Sequence, residues 1–93
     1  MRTISRTHRF KKDYKREARG PHKVALDELL LAAASLLAAD VALPPAMRDH
    51  ALSGEWKDHR DCHLKPDLVL IYRLPDAETL ELVRLGSHSE LSL

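Results

Sequence analysis

The spacing of apolar and polar positions changes halfway along the chain, dividing it into a helical half and a stranded half. Residues 2–6 alternate well enough for a short first strand. From His8 to Arg19 the period is helical. Phe10, Tyr14 and Ala18 recur four apart, basic residues fill the rest, and Thr7 stands where an N-cap belongs. Gly20-Pro21 ends that helix and allows a restart, because proline is tolerated in a first helical turn. A second helix is predicted from about Pro21 to Ala39, with Asp27 and Glu28 early. Its wide apolar face carries Leu29, Leu30, Ala32, Ala33, Leu36 and Leu37. Asp40 and the Pro44-Pro45 pair stop it.

Beyond that loop the period drops to two. His59, Asp61, His63 and Lys65 share one side of an extended segment, and Arg60, Cys62 and Leu64 share the other. Pro66-Asp67 turns the chain into the apolar run Leu68–Leu74, which predicts a central strand. Pro75 to Glu78 supply another turn, and Thr79–Leu85 returns as an antiparallel partner. Gly86 releases the chain into a polar tail carrying His88. Two helices followed by an antiparallel sheet is an α+β layout, with the helices covering one face. Ninety-three residues predict one domain, 1–93, with a thin core.

Composition narrows the partners. Residues 1–23 hold nine Lys or Arg against two acids, and the remaining seventy hold six against twelve. The N-terminal end is therefore drawn to phosphate or to an acidic protein in a salt-dependent way. Lys11, Lys12, Lys15 and Arg16 are the candidate contacts there. Arg60, Lys65 and Arg84 are candidates in the stranded half, where Arg48, Lys57 and Arg73 are further surface cations. Four aromatic residues are too few for a base-stacking sheet. The most apolar window, Leu29–Ala39, is too short to span a bilayer, and the basic N-terminus lacks the apolar segment of a secretory signal. With a single cysteine, Cys62, the chain reads as cytoplasmic. Walker, dinucleotide and cysteine-based metal motifs are absent.

The remaining chemistry lies in histidines. His50, His63, Asp67 and His88 all fall at predicted strand ends or in loops, where a layered sheet can gather them at one edge. Imidazole takes and gives protons near neutral pH, and RNA carries its own nucleophile in the 2′-hydroxyl. A set of histidines with an aspartate and nearby cations is therefore equipped for RNA cleavage without a metal or other cofactor. A metal site is the competing account. His59 and His63 would stand about 13 Å apart along one strand, so His63 would have to recruit Asp67 and His88 instead. Asp49, Asp58 and Asp61 read as surface or turn acids. Trp56 reads as a core anchor and Cys62 as a small buried hydrophobe.

The segments “LPPAMRDHALSGEWKDHRDCHLKPDLVLIYRL” and “LELVRLGSH” carry a resemblance. Their order of DH, L-x-G-x-W, RD-x-H, a PD turn, LIY and G-x-H resembles the YafQ-type toxins of the RelE/ParE superfamily. The helix with “KDYK” agrees more loosely. The resemblance implies a compact sheet with two N-terminal helices and an mRNA endonuclease acting in the ribosomal A site. It also implies a cognate antitoxin partner and contact with operator DNA only through the antitoxin complex. Carried over, the family's catalytic or RNA-contacting positions fall on His50, His63, Asp67 and His88. His88 is then the candidate acid toward the 5′-oxygen.

Two departures stand out. The family pattern has a tryptophan where this chain has Leu68, and a phenylalanine near the tail where it has Ser92. Both would affect the grip on the A-site codon through stacking. Two other functions fit the same layout: a ParE-like inhibitor of DNA gyrase, or an inactive toxin kept as an antitoxin-binding co-repressor.

Overall fold

The computed structural model describes residues Met1–Leu93. Strand β1 (Thr3–Arg6) leads through Thr7 into helix α1 (His8–Glu17). Thr7 caps the helix as its position suggests. Its Oγ1 accepts the Phe10 N–H at 3.0 Å and donates to the Val83 carbonyl at 2.7 Å. The buried row of α1 is not the predicted Phe10–Tyr14–Ala18. Phe10, Asp13 and Glu17 turn inward, and Ala18 is exposed. Acids face the interior because Asp13 has charged and backbone donors waiting for it there.

Helix α2 (Leu26–Ala38) begins five residues later than predicted. Between the helices, tight bonds from Lys23 N–H to Gly20 O (3.2 Å) and Ala25 N–H to His22 O (3.2 Å) hold a series of turns. The helix buries Leu26, Leu30, Ala33, Ala34, Leu37 and Ala38, and the alanines let it lie close to the sheet. Asp40 closes it in the left-handed region (φ 57°). There the Asp40 N–H bonds Leu37 O (3.1 Å) and the Val41 N–H bonds Leu36 O (2.9 Å), the paired pattern of a Schellman cap. Neither helix is long and apolar enough to cross a membrane.

The rest is strand. After a 3-10 turn at Pro45–Met47 comes the two-residue strand β2 (His50–Ala51), which no periodicity announces. Strands β3 (Arg60–Lys65), β4 (Leu68–Asp76) and β5 (Thr79–Gly86) follow. The sheet order is β1-β5-β4-β3-β2, with β1 parallel to β5 and the other pairs antiparallel.

The apolar run in β4 is the central strand that its composition predicts. Leu68, Leu70 and Tyr72 join both helices in the main core, while Val69 and Ile71 face the opposite side and pack with Leu91. Trp56 is half-buried against that smaller cluster, not in the main core where a core anchor is expected. Leu68 is fully buried in the main core, so an aromatic ring there would have to displace packing before it could touch RNA. Cys62 is fully buried too, and burial, helped by Asp49 and Asp61, pushes its thiol up to about 12.

One ion pair fastens α1 to the sheet. The Arg84 Nε and Nη2 donate to Asp13 at 2.6 and 3.2 Å, the Leu85 N–H donates at 3.0 Å, and Arg16 adds a bond at 2.9 Å. Arg84 is 9% exposed, so it is not the surface phosphate contact that the sequence suggests. Burial by itself would push the Asp13 carboxyl up. The Arg84 and Leu85 hydrogen bonds and the charges of Arg84 and Arg16 outweigh it and hold the carboxyl below its ordinary range. Removing one partner leaves the other charge buried alone, so Asp13→Ala is expected to cost about 3–5 kcal/mol in urea unfolding at pH 7. A depressed carboxylate contributes stability above its unfolded pKa and loses it as pH falls through the folded value. The gap between parent and variant should therefore narrow below about pH 4; a gap constant down to pH 2 would contradict this origin.

Candidate active site

Three elements bring their histidines to one side of the sheet. β2 pairs on β3 with His50 directly opposite Asp61. His63 follows two residues on, and period-two alternation puts it on the same face as Asp61. β5 ends at Gly86, and the turn beyond it swings His88 back until its ring centroid lies 5.0 Å from that of His63, tilted by 52°. His50, Asp61 and His88 line an open hollow of about 460 Å³ with Ser53, Glu55, Trp56 and Ser92. His63 borders a second hollow with Arg48 and Lys65.

His50 is held from both ends. Asp49, just before it, accepts from the Tyr72 hydroxyl at 2.5 Å and from Arg60 Nε at 3.2 Å. This fixes the loop and engages the Arg60 guanidinium, a candidate for phosphate by sequence. Arg48 sits in the left-handed region (φ 50°), and its carbonyl lies 2.7 Å from His50 Nδ1. Asp61 Oδ1 lies 3.1 Å from the same nitrogen. Both neighbours are acceptors, so Nδ1 carries the proton and Nε2 keeps its lone pair in the neutral ring. The carbonyl takes the hydrogen bond; the carboxylate oxygen is close enough for charge attraction but has no hydrogen bond of its own.

Asp61 is the acid that meets the histidines. It is 2% exposed, and burial pushes its carboxyl up, against the pull of His50, His63 and His88. By sequence Asp61 reads as a surface acid, and its place goes to Asp67. In the fold Asp67 stands on the β3–β4 turn with its side chain 69% exposed, its carboxylate 2.9 Å from His22 Nε2. The signal for Asp61 is present in the sequence: two residues before His63 on one strand face, it can only share that histidine's side. The missing information is β2, the pairing that sets His50 across from it.

The cations divide as well. Lys11, Lys12 and Lys15 are exposed on α1, and Lys65 is exposed beside His63. Arg16 is spent on Asp13, Glu17 and Glu90, so it is a tie within the molecule and not a free contact. His59 lies before β3 with its ring edge against Trp56, and His8 is exposed on α1. Neither enters the cluster.

Sequence and fold both have known counterparts. A sequence model described as the bacterial toxin of a type II toxin–antitoxin system, YafQ, matches residues 2–93. The mRNA interferase toxin YafQ of Escherichia coli is 37% identical over 91 residues, covering 98% of this chain and 96% of its own. The putative toxin YafQ of Haemophilus influenzae is 36% identical over 93 residues, covering 97% and 91%. A metal-bound toxin from Helicobacter pylori superposes with a TM-score of 0.81 at 46% identity, covering 98% of this chain and 99% of that one. The E. coli DinJ–YafQ complex contains a chain with a TM-score of 0.79 at 32% identity, covering 98% of each. With its helices, mixed sheet and nearly full length accounted for, the chain belongs to the YafQ family of bacterial type II toxins.

Proposed function

We propose that this chain is an mRNA endonuclease toxin that cuts in the ribosomal A site, works in the cytoplasm and is held inactive by a cognate antitoxin. The observation that carries the reading is the gathering of His50, His63 and His88 around the buried Asp61. Its two helices and five-stranded sheet agree with a RelE/ParE-type fold. In the proposed reaction His50 Nε2 takes the proton of the 2′-hydroxyl, and Asp61 favours the imidazolium that results. The 2′-oxygen attacks the adjacent phosphorus, and His88 gives a proton to the departing 5′-oxygen. The products are a 2′,3′-cyclic phosphate and a 5′-hydroxyl. His63, with Arg48 and Lys65 beside it, faces the phosphoryl oxygens. Proton transfer by imidazole and a nucleophile supplied by the RNA leave no step that requires a metal. Asp67 keeps a supporting place at the margin, through its contact with His22.

The choice of mRNA rests on the E. coli relative, an mRNA interferase, and on the exposed lysines of α1, which suit ribosomal RNA. The antitoxin rests on the E. coli complex and on a groove between β1, α1 and α2. That groove is lined by apolar Ile4, Phe10, Leu30 and Leu31 and by three cations, Arg6, Lys11 and Lys15, against one acid, Asp27, a balance suited to an acidic amphipathic segment. Operator DNA would be reached only through that complex.

The direct experiment adds the protein to ribosomes translating a defined mRNA and maps the fragment ends. In-frame A-site cuts are expected, at least tenfold fewer with His88→Ala. No cuts from the folded parent would overturn the reading and leave gyrase inhibition, scored by DNA supercoiling, as the next test.

Asp61→Asn separates function from stability. The variant should cut at least tenfold more slowly, yet be more stable at pH 8 by about 1 kcal/mol, because a buried carboxylate oxygen without a hydrogen bond is neutralised. A raised folded pKa means that stability is lost as pH rises from the ordinary carboxylate value to the raised one, and stays level above it. The advantage should therefore shrink as pH falls below the raised value and be gone below the ordinary carboxylate range; a variant less stable than the parent at pH 8 would show the charge to be well compensated.

Changing Lys11, Lys12 and Lys15 to Gln should weaken ribosome binding and flatten its salt dependence. The slope should fall by about 0.7–0.9 for each phosphate that is no longer neutralised. An unchanged slope would remove α1 from the RNA interface.

A further inference from the structure

The turn that carries His88 is fastened from outside the cluster. Ser87 and Glu90 satisfy each other: the Ser87 N–H donates to Glu90 Oε1 at 2.9 Å and the Glu90 N–H donates to Ser87 Oγ at 3.1 Å. That reciprocal pair, the capping-box arrangement, encloses His88 and Ser89. Glu90 then reaches α1, with Oε2 lying 3.0 Å from Arg16 Nε. Arg16 also crosses to the sheet, where its Nη2 donates to the Leu85 carbonyl at 2.6 Å, two residues before Ser87 opens the turn. One guanidinium thus holds the chain on both sides of His88.

Gly86 keeps the space open. A Cβ at this position would lie 2.6 Å from Arg16 Nη2 and 3.1 Å from Glu90 Oε1. Both are ends of flexible side chains, so an added methyl would push the arginine and glutamate aside and leave the backbone in place. Leu91, 2% exposed and packed with Val69 and Ile71, holds the end of the tail independently.

We propose that Arg16, Glu90 and Gly86 form a latch that positions His88 against His63, so that α1 acts on the chemistry as a positioning element. This rests on the reading of His88 as a catalytic acid. Arg16 and Glu90 are positioning residues: neither lines the hollow, Glu90 binds the Ser87 backbone and Arg16, and Arg16 ties Glu90 to the Leu85 carbonyl and to Asp13 and Glu17 on its own helix. Buried Leu91 fixes that the tail packs; the latch fixes where its ring points.

The test compares Gly86→Ala, Glu90→Gln, the two combined and the parent on programmed ribosomes, each also in a His88→Ala background. Each latch variant is expected to lower the single-turnover cleavage rate roughly tenfold to a hundredfold with ribosome affinity unchanged. The combined variant should be no slower than the worse single one, because both act through the same contact. In the His88→Ala background the latch variants should have no further effect. A merely structural role would slow that background as well, and would overturn the proposal.

Ring-proton NMR of the free protein gives a readout without catalysis. The His63–His88 cross-relaxation peak should weaken in both latch variants while the Val69–Leu91 contacts persist. Parental cleavage and an unchanged peak would sink the latch and leave His88 as acid untouched. Full cleavage by His88→Ala would instead sink the catalytic reading, and the NMR comparison would still decide whether the latch places the ring.

Discussion

The Asp13 carboxylate is the acceptor on which the arrangement of layers depends. A carboxylate in a helix's buried face is costly unless nearly every lone pair is used, and here three donors from β5 and one from α1 itself converge on it. That requirement sets the rotation of α1 about its axis, which apolar packing through Phe10 alone would leave loose. With α1 fixed over β5, Thr7 meets the Val83 carbonyl and Arg16 meets the Leu85 carbonyl. The same helix therefore registers the beginning and the end of the chain on the strand between them.

The candidate site applies the opposite rule. Asp61 is as buried as Asp13 but under-bonded, and its surroundings are histidines whose charge depends on protonation. Asp13 is stabilising because its donors are permanent cations and an amide. Asp61 is poised because its neighbours are not. Burial pushes both acids the same way; the partners of Asp13 outweigh it and those of Asp61 do not, so two acids in one sheet-and-helix sandwich end on opposite sides of the ordinary value.

Much of this is legible in the sequence. The central strand shows itself in five successive apolar residues, and the alternation around His63 assigns Cys62 and Leu64 to the core and their neighbours to the other face. His50, His63 and His88 are identified by type and by their places at strand ends. Two kinds of information are hidden. One is pairing: a two-residue strand has no periodicity to read, yet β2 sets His50 across from Asp61, which reads as a surface acid in the sequence. The other is satisfaction of charge. Arg16, Arg60 and Arg84 resemble Lys11 and Lys12 as letters, and only contacts across long stretches of chain show which cations are already spent.

The burial of Cys62 has a practical side. It lies on β3 between Asp61 and His63, has no accessible surface, and keeps its thiol protonated at any physiological pH. A thiol of that kind is mute in the folded protein and reacts only when its strand parts from the helices covering it. Its rate of alkylation is thus a built-in clock for opening of the strand that carries Asp61 and His63, readable without introducing a label.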